Sequence, residues 1–362
     1  MKEPKIRFNE FKGEWKEKEL NSHASYICSG KNTNMQGPYP LYGSTGIIGT
    51  TDKPYHTGPM LLVARVGANA GYLQLIEEEC GVSDNTLIIQ PNNELPEKYL
   101  FYYFDHFNLN RFIYGSGQPL ITGGMLKKMP VRFGCTTETR KLASFFTTLD
   151  AQISASTSRL ASLKQIKAAS LQAMFPQEGE TVPKLRFKGF EGEWEYDEIG
   201  NICKITTGKS NTQDQVPDGQ YPFFIRSEKI AKSVKYLYDT EAVITIGDGN
   251  IGKVFHYTKG KFDLHQRCYM MYEFQSIIDA KYFYYYFSTH FYDRAIKMSA
   301  KATVDSVRLD MIAKMEIKYP SFNEQRAIAS YFTNLDRQIT LQSQRLEKLK
   351  QIKAACLDKM FV

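Results

Sequence analysis

Apolar residues recur at a 3.5-residue spacing in two long stretches of the chain. Leu142, Phe146, Leu149, Ile153, Leu160, Leu163 and Met174 fall on the a and d positions of one heptad run. Ile328, Phe332, Leu335, Ile339, Leu346, Leu349 and Met360 fall on the same positions of a second. A two-sided stripe of this length is the seam of a coiled coil, here interrupted at Ser156, Lys167, Gln342 and Lys353. Each helix holds about 38 residues, so it is roughly 57 Å long at about 1.5 Å per residue. The second helix opens on Ser321-Phe322-Asn323-Glu324, a capping-box pattern; the first has Cys135 where Ser321 stands, with Thr136 as the alternative cap. Pro176, Gly179 and Pro183 break the first helix.

Before each stripe the periodicity changes. Met60–Ala64, Thr86–Ile89 and Ala242–Ile246 are short apolar runs between Gly, Pro and Asn turns and predict buried strands. Lys98–Phe104 and Lys281–Phe287 are tyrosine-rich and predict helices with core-facing rings. The fold class is therefore mixed α/β (α+β): two tandem globular domains, each followed by a long helix.

The tandem arrangement is written in an internal repeat. Pro4-Lys-Ile-Arg-Phe leading to Gly13-Glu-Trp15 recurs as Pro183-Lys-Leu-Arg-Phe leading to Gly192-Glu-Trp194. Ala143–Ile153 recurs as Ala329–Ile339, and Leu163–Ala169 recurs unchanged as Leu349–Ala355. The stretches between, roughly 21–136 and 200–321, hardly resemble each other. Each copy keeps its ends and changes its interior. Each stripe needs an apolar partner, and the nearest is its twin. An antiparallel coiled coil related by a pseudo-two-fold axis is the natural closure, because a whole domain separates the helices.

Composition narrows the class. Of 362 residues, 42% are hydrophobic and 13% aromatic, ample for two cores. No apolar run is long enough to span a membrane, and the charged start Met1–Lys5 lacks the apolar run of a signal peptide. Six scattered cysteines without a Cys-x-x-Cys pair argue against a disulfide framework or zinc site, so a reduced, cytoplasmic protein is expected. A net charge of +7 permits a polyanionic partner without demanding one.

Catalytic signatures are missing. Gly247-Asp-Gly-Asn-Ile-Gly-Lys253 has phosphate-loop spacing, but Val254 stands where Ser or Thr would hold magnesium. The β-prone residues that follow would not supply a helix N-terminus. No two prolines are adjacent, so the Pro-Pro signature of adenine methyltransferases is absent, and no histidine–carboxylate cluster or nucleophile triad is evident.

Two variable domains, each followed by a near-identical helix carrying Leu-Lys-Gln-Ile-Lys-Ala-Ala, resemble the specificity subunit of a type I restriction–modification system. The carriers are the Pro-Lys-(Ile/Leu)-Arg-Phe…Gly-Glu-Trp segments, the Glu138-x-Arg140 and Glu324-x-Arg326 helix starts with the Leu-Asp-x-Gln-Ile that follows, and the shared helix ends. The resemblance covers the whole chain. It implies a first target-recognition domain over 1–136, a central spacer helix over 137–178, a second recognition domain over 179–321 and a distal spacer helix over 322–362. Each domain would read one half of an asymmetric bipartite site on double-stranded DNA, and the helices would fix the gap. Two modification (methyltransferase) subunits would bring S-adenosylmethionine, and restriction (translocase) subunits would bring ATP and magnesium; this chain itself would hold no cofactor or metal and catalyse nothing alone.

Reading base edges calls for Arg or Lys on guanine and Asn or Gln on adenine, carried on loops. Candidates are Lys31, Arg65, Asn69, Asn85 and Gln118 in the first copy, and Lys209, Arg226, Asn250, Lys253, His265, Gln266, Arg267 and Lys301 in the second. The same glycine- and asparagine-rich loops also suit turns alone. A scaffold joining partner proteins and a nucleotide-dependent enzyme built on Gly247–Lys253 are the rival readings.

Overall fold

The computed structural model describes residues 3–92, 94–112, 119–299 and 306–362. Its two compact units do not follow chain order. The first comprises Met1–Ser158 together with Ser343–Val362, and the second is Arg159–Gln342. Two 39-residue helices, a central one (Thr136–Met174) and a distal one (Phe322–Met360), are each divided between the units.

In the first unit, one four-stranded sheet runs in the order Ala24–Ser29, Thr86–Pro91, Met60–Ala64, Leu73–Ile76. A second runs Gly46–Thr51, Tyr39–Gly43, Glu79–Val82, His56–Thr57. The second unit has a single six-stranded sheet: Lys204–Thr207, Cys268–Tyr272, Tyr238–Ile246, Phe255–Leu264, Tyr221–Phe224, Ala231–Ser233. Among the described strands of these sheets each unit has one parallel pair, Leu41 beside Gly81 in the first and Phe223 beside Asp263 in the second, with antiparallel pairs around it. The difference between the sheets is local. The first unit breaks one long strand at Gly58-Pro59, where proline lacks the N–H a ladder needs, and another at Glu77-Glu78.

The tyrosine-rich segments are helices, Glu97–Phe107 and Ala280–Ser299, and their rings enter the cores. Buried hydroxyls need acceptors, and short two-stranded ribbons supply them. Tyr99 donates to Arg132 O (2.5 Å) and Tyr103 to Pro130 O (3.0 Å), both on Pro130–Phe133 paired with Lys16–Glu19. In the second unit Tyr282 donates to Lys318 O (2.6 Å), on Glu316–Tyr319 paired with Glu195–Glu198.

The repeated signatures at the two ends of each copy grip each other. Arg7 donates from Nε and Nη2 to Glu138 (2.7 and 2.8 Å), and Arg186 does the same to Glu324 (2.7 and 2.8 Å). A third guanidinium hydrogen meets Gly13 O or Gly192 O, and both glycines adopt positive φ (89° and 85°), which turns the carbonyl inward at little steric cost. Both carboxylates are 1% exposed. This corrects the capping-box reading: the Glu324 carboxylate is turned to Arg186 instead of back to Ser321. Thr136 is likewise no cap but the first helical residue, and Thr139 N–H donates to Cys135 O.

Along the long helices Leu142, Phe146, Leu149, Ile328, Phe332, Leu335 and Leu346 are buried, and Ile153, Leu160, Leu163, Ile339 and Leu349 are partly so. In the first unit Phe361, just past the distal helix, stacks on Phe146 (5.5 Å between centroids), and Lys353 lies 2.7 Å from Asp150. In the second, Phe175 stacks on Phe332 (5.8 Å), the Ser170 and Tyr331 hydroxyls are 2.9 Å apart, and Lys167 donates to Asp336 (2.6 Å). Within each unit one helix therefore ascends as the other descends, and the pairing is antiparallel. The lysines that interrupt the heptads are paired, each with an aspartate that also accepts from a tyrosine: Tyr102 on Asp150 and Tyr285 on Asp336, both at 2.8 Å. No helix among the described residues is long and apolar enough to cross a membrane.

Candidate functional site

The second unit gathers four sequence candidates around one open, polar depression of about 470 Å³, where Arg226, His265, Gln266 and Arg267 stand with Asn211, Thr212, Gln213 and Asp248. Backbone hydrogen bonds build it from three loops. Lys209 and Ser210 N–H donate to Leu264 O (3.1 Å each), Gly208 N–H to Cys268 O (3.2 Å), and Gly247 N–H to Arg267 O (2.7 Å). A Cβ on Gly208 would sit 2.1 Å from Leu264 O, so this approach requires glycine.

His265 supports the site from beneath. It is 4% exposed, and Arg267 N–H donates to its Nδ1 (3.0 Å). That leaves the proton on Nε2, which lies 3.3 Å from Thr212 Oγ1. Burial first, then the positive charge of Arg226, pushes its pKa below the ordinary 6.5, so the ring is neutral near pH 7. Both ring nitrogens are occupied, and His265 is not at the surface to touch a ligand.

Arg226 is exposed but held by Asp248, with Nη1 3.1 and 3.2 Å from the two carboxylate oxygens. Gln266 donates to Asn211 Oδ1 (2.5 Å). Arg267 is exposed and has no ion-pair partner among the described residues. Lys209 and Asn250 are exposed at the flanks, and Lys253 lies over the Tyr292 ring, 5.4 Å from its centroid. The Gly247–Lys253 segment leads into strand Phe255–Leu264 with no helix, so it offers no phosphate cradle.

The first unit builds the same backbone frame from residues that differ at most places. Asn32 N–H donates to Val82 O (2.9 Å), Gly30 N–H to Thr86 O (2.9 Å), Arg65 N–H to Asn85 O (2.9 Å) and Ser83 N–H to Tyr42 O (2.9 Å). The counterpart of that last bond is His265 N–H to Phe224 O (2.9 Å). A Cβ on Gly30 would be 2.2 Å from Val82 O, as tight as its counterpart. The matching bonds place Lys31 with Lys209, Ser44 with Arg226, Arg65 with Gly247, Asp84 with Gln266 and Asn85 with Arg267. Lys31, Asn69 and Asn85 are exposed and Arg65 half-buried. Gln118 and Lys301 lie outside the described residues.

Sequence reasoning missed Asn211, Thr212, Gln213 and Asp248. The run Lys209-Ser-Asn-Thr-Gln213 carries the right residue types beside a chosen lysine, which is the signal that would have found three of them. Ser44 was missed because nothing local relates it to Arg226; only the strand pairing does.

A family model for the type I restriction modification DNA specificity domain matches residues 12–165 and 191–351. The specificity subunit of the Escherichia coli type I restriction enzyme EcoDI is 30% identical over 160 residues, 44% of this chain and 35% of that protein. The E. coli EcoprrI specificity subunit is 26% identical over 91 residues, 25% of this chain and 23% of that one. The chain thus matches about a third (35%) of the length of the first relative and less of the second (23%). Among solved structures, the type I restriction–modification S subunit of M. genitalium has the same fold, with a TM-score of 0.76 at 16% identity over 99% of both chains. A structure describing complex assembly and conformational transition of the type I R-M system gives a TM-score of 0.50 at 16% identity, covering 96% of this chain and 97% of that one.

Proposed function

The chain belongs to the type I restriction–modification DNA specificity family, and from that premise we propose that it is the DNA-reading subunit of a modification–restriction complex, each unit taking one half of an asymmetric split target. One observation carries this reading: the two units share the backbone hydrogen bonds that place these loops, while the side chains on them differ, half-buried Ser44 and exposed Asp84 and Asn85 in one against exposed Arg226, Gln266 and Arg267 in the other. A shared frame with exchanged polar tips suits two different half-sites. The long helices, built from the repeated part of the sequence, serve as the spacer and as the face that docks two methyltransferase subunits.

The division of labour follows from the chemistry. Arg, Asn and Gln side chains recognise base edges in the major groove but do not transfer methyl groups. S-adenosylmethionine is brought by the methyltransferase subunits, and ATP and magnesium by restriction subunits. Recognition-domain bounds of 1–136 and 179–321, with helices between and after, describe the chain in these functional terms.

The test is adenine-methylation mapping in cells that carry the partner subunits with and without this chain. A split motif that appears only with the chain is the expected result. Replacing residues 24–121 with those of another family member should then change one half of the motif alone. A motif independent of the chain, or a replacement that alters both halves, would sink the proposal.

A further inference from the structure

The two units carry different side chains, Asn85 and Arg267, at one shared backbone position. Asn85 and Arg267 are placed alike: the carbonyl of each accepts the N–H at the start of the loop after the neighbouring strand, from Arg65 (2.9 Å) and Gly247 (2.7 Å) respectively. Two residues before each, Ser83 and His265 donate their N–H to the strand beside them and accept one through their carbonyls from Thr86 (3.2 Å) and Cys268 (2.9 Å). The main chain is therefore fixed by at least three hydrogen bonds in both copies, while the side chain between them is exposed. Such a position presents a side chain in constant geometry whatever its identity.

The surroundings of the two residues differ in a way that bears on what each can bind. In the second unit, Asp248 neutralises Arg226, so Arg267 is the guanidinium of the depression with no carboxylate among the described residues. In the first unit, Ser44 replaces Arg226 and Val66 stands where the isolated bridge of Asp248 lies, so cation and carboxylate are lost together. The ion pair accompanies the arginine reader and is absent beside the asparagine.

We propose that this shared position is a base-reading position in each half, with Arg267 taking a guanine and Asn85 an adenine. Arginine forms a bidentate pair with guanine O6 and N7, and asparagine with adenine N7 and N6. Asp248 acts on Arg226 as a positioning residue, keeping it from competing for the same base edge. This rests on the DNA-reading role proposed above.

The experiment maps methylation and binding with the chain assembled with its methyltransferase subunits. In Arg267→Ala one guanine position of one half-site should become degenerate, with discrimination there falling roughly 5- to 150-fold, the effect of losing one bidentate pair. Asn85→Ala should relax one adenine position of the other half, and Asn85→Arg should convert that position to guanine. Competition between matched and mismatched duplexes reads the same quantity when a variant methylates poorly. The inference is overturned if matched and mismatched duplexes lose affinity equally, which marks a phosphate contact, or if the motif is unchanged. It also fails if both variants relax the same half. Absence of any chain-dependent motif in the unaltered protein would instead remove the DNA-reading role itself.

Discussion

Arg7 grips the buried carboxylate of Glu138 through two hydrogen bonds, of 2.7 and 2.8 Å, across 131 residues of chain. The pair ties the start of the first copy to the start of its helix. Arg7→Ala would leave a carboxylate at 1% exposure without its cation, at a cost of roughly 3–5 kcal/mol. Arg186→Ala should act equally on Glu324 in the second unit. Urea unfolding followed by hydrogen exchange should show the first variant loosening Met60–Ala64 and the second loosening Tyr238–Ile246. A loss below about 1 kcal/mol, the range of exposed pairs, would show that the clasp is ornamental.

Leu346 is 9% exposed and Leu160 only partly buried. An aspartate at either place is desolvated without a partner, a cost of several kcal/mol where burial is deep. Leu346→Asp should therefore destabilise more than Leu160→Asp, and both should impair assembly with partner subunits. Size-exclusion chromatography with those subunits checks the order; equal assembly by both variants contradicts the paired-helix account.

Spacing offers a separate check on the spacer role. The ion pairs Lys353–Asp150 and Lys167–Asp336 set the register of the antiparallel helices within each unit. Four residues inserted after Ser156 alone would break that reciprocity. Matched insertions after Ser156 and Gln342 should keep it, since four residues is close to one 3.6-residue turn and each adds about 6 Å. With a rise of about 3.4 Å per base pair, methylation mapping should find the gap between half-sites longer by one or two base pairs. Two inserted residues rotate the stripe by about 200° and should abolish activity. An unchanged gap with full activity removes the spacer role.

All six histidines titrate below their ordinary value of 6.5, burial being the first cause for each. The unfolded chain then binds protons that the native imidazoles refuse. The sign follows: the stability that the neutral rings contribute is present above about 6.5 and is lost as pH falls through the depressed native values. The melting temperature should drop from pH 7.5 to pH 5.5 in calorimetry. A flat or rising profile would mean that the rings are protonated in the native state.

The repeat made the architecture legible. Strands at Met60–Ala64 and around Ala242–Ile246 and the tyrosine-bearing helices follow from apolar runs and their lengths, because burial of those side chains dictates local form. What stayed hidden depends on contacts between distant segments. Glu324 looked like a cap because its spacing from Ser321 is local, whereas Arg186 reaches it from 138 residues away. Lys167 and Lys353 looked like defects until their aspartates were placed opposite. In the candidate site, residue type found Arg226 and Arg267 but also drew in His265, because a buried imidazole and an exposed one are written with the same letter.

Phe361 fills the core beside Trp15, Tyr99 and Phe146, and this reverses the order in which the units can be completed as the chain leaves the ribosome. The second unit, Arg159–Gln342, has all its residues once Gln342 has emerged. The first, though synthesised earlier, still lacks Ser343–Val362 at that point and waits with part of its apolar interior uncovered. The unit made first is thus the one finished last, and its core is closed only by the final turn of the distal helix and the Phe361 ring.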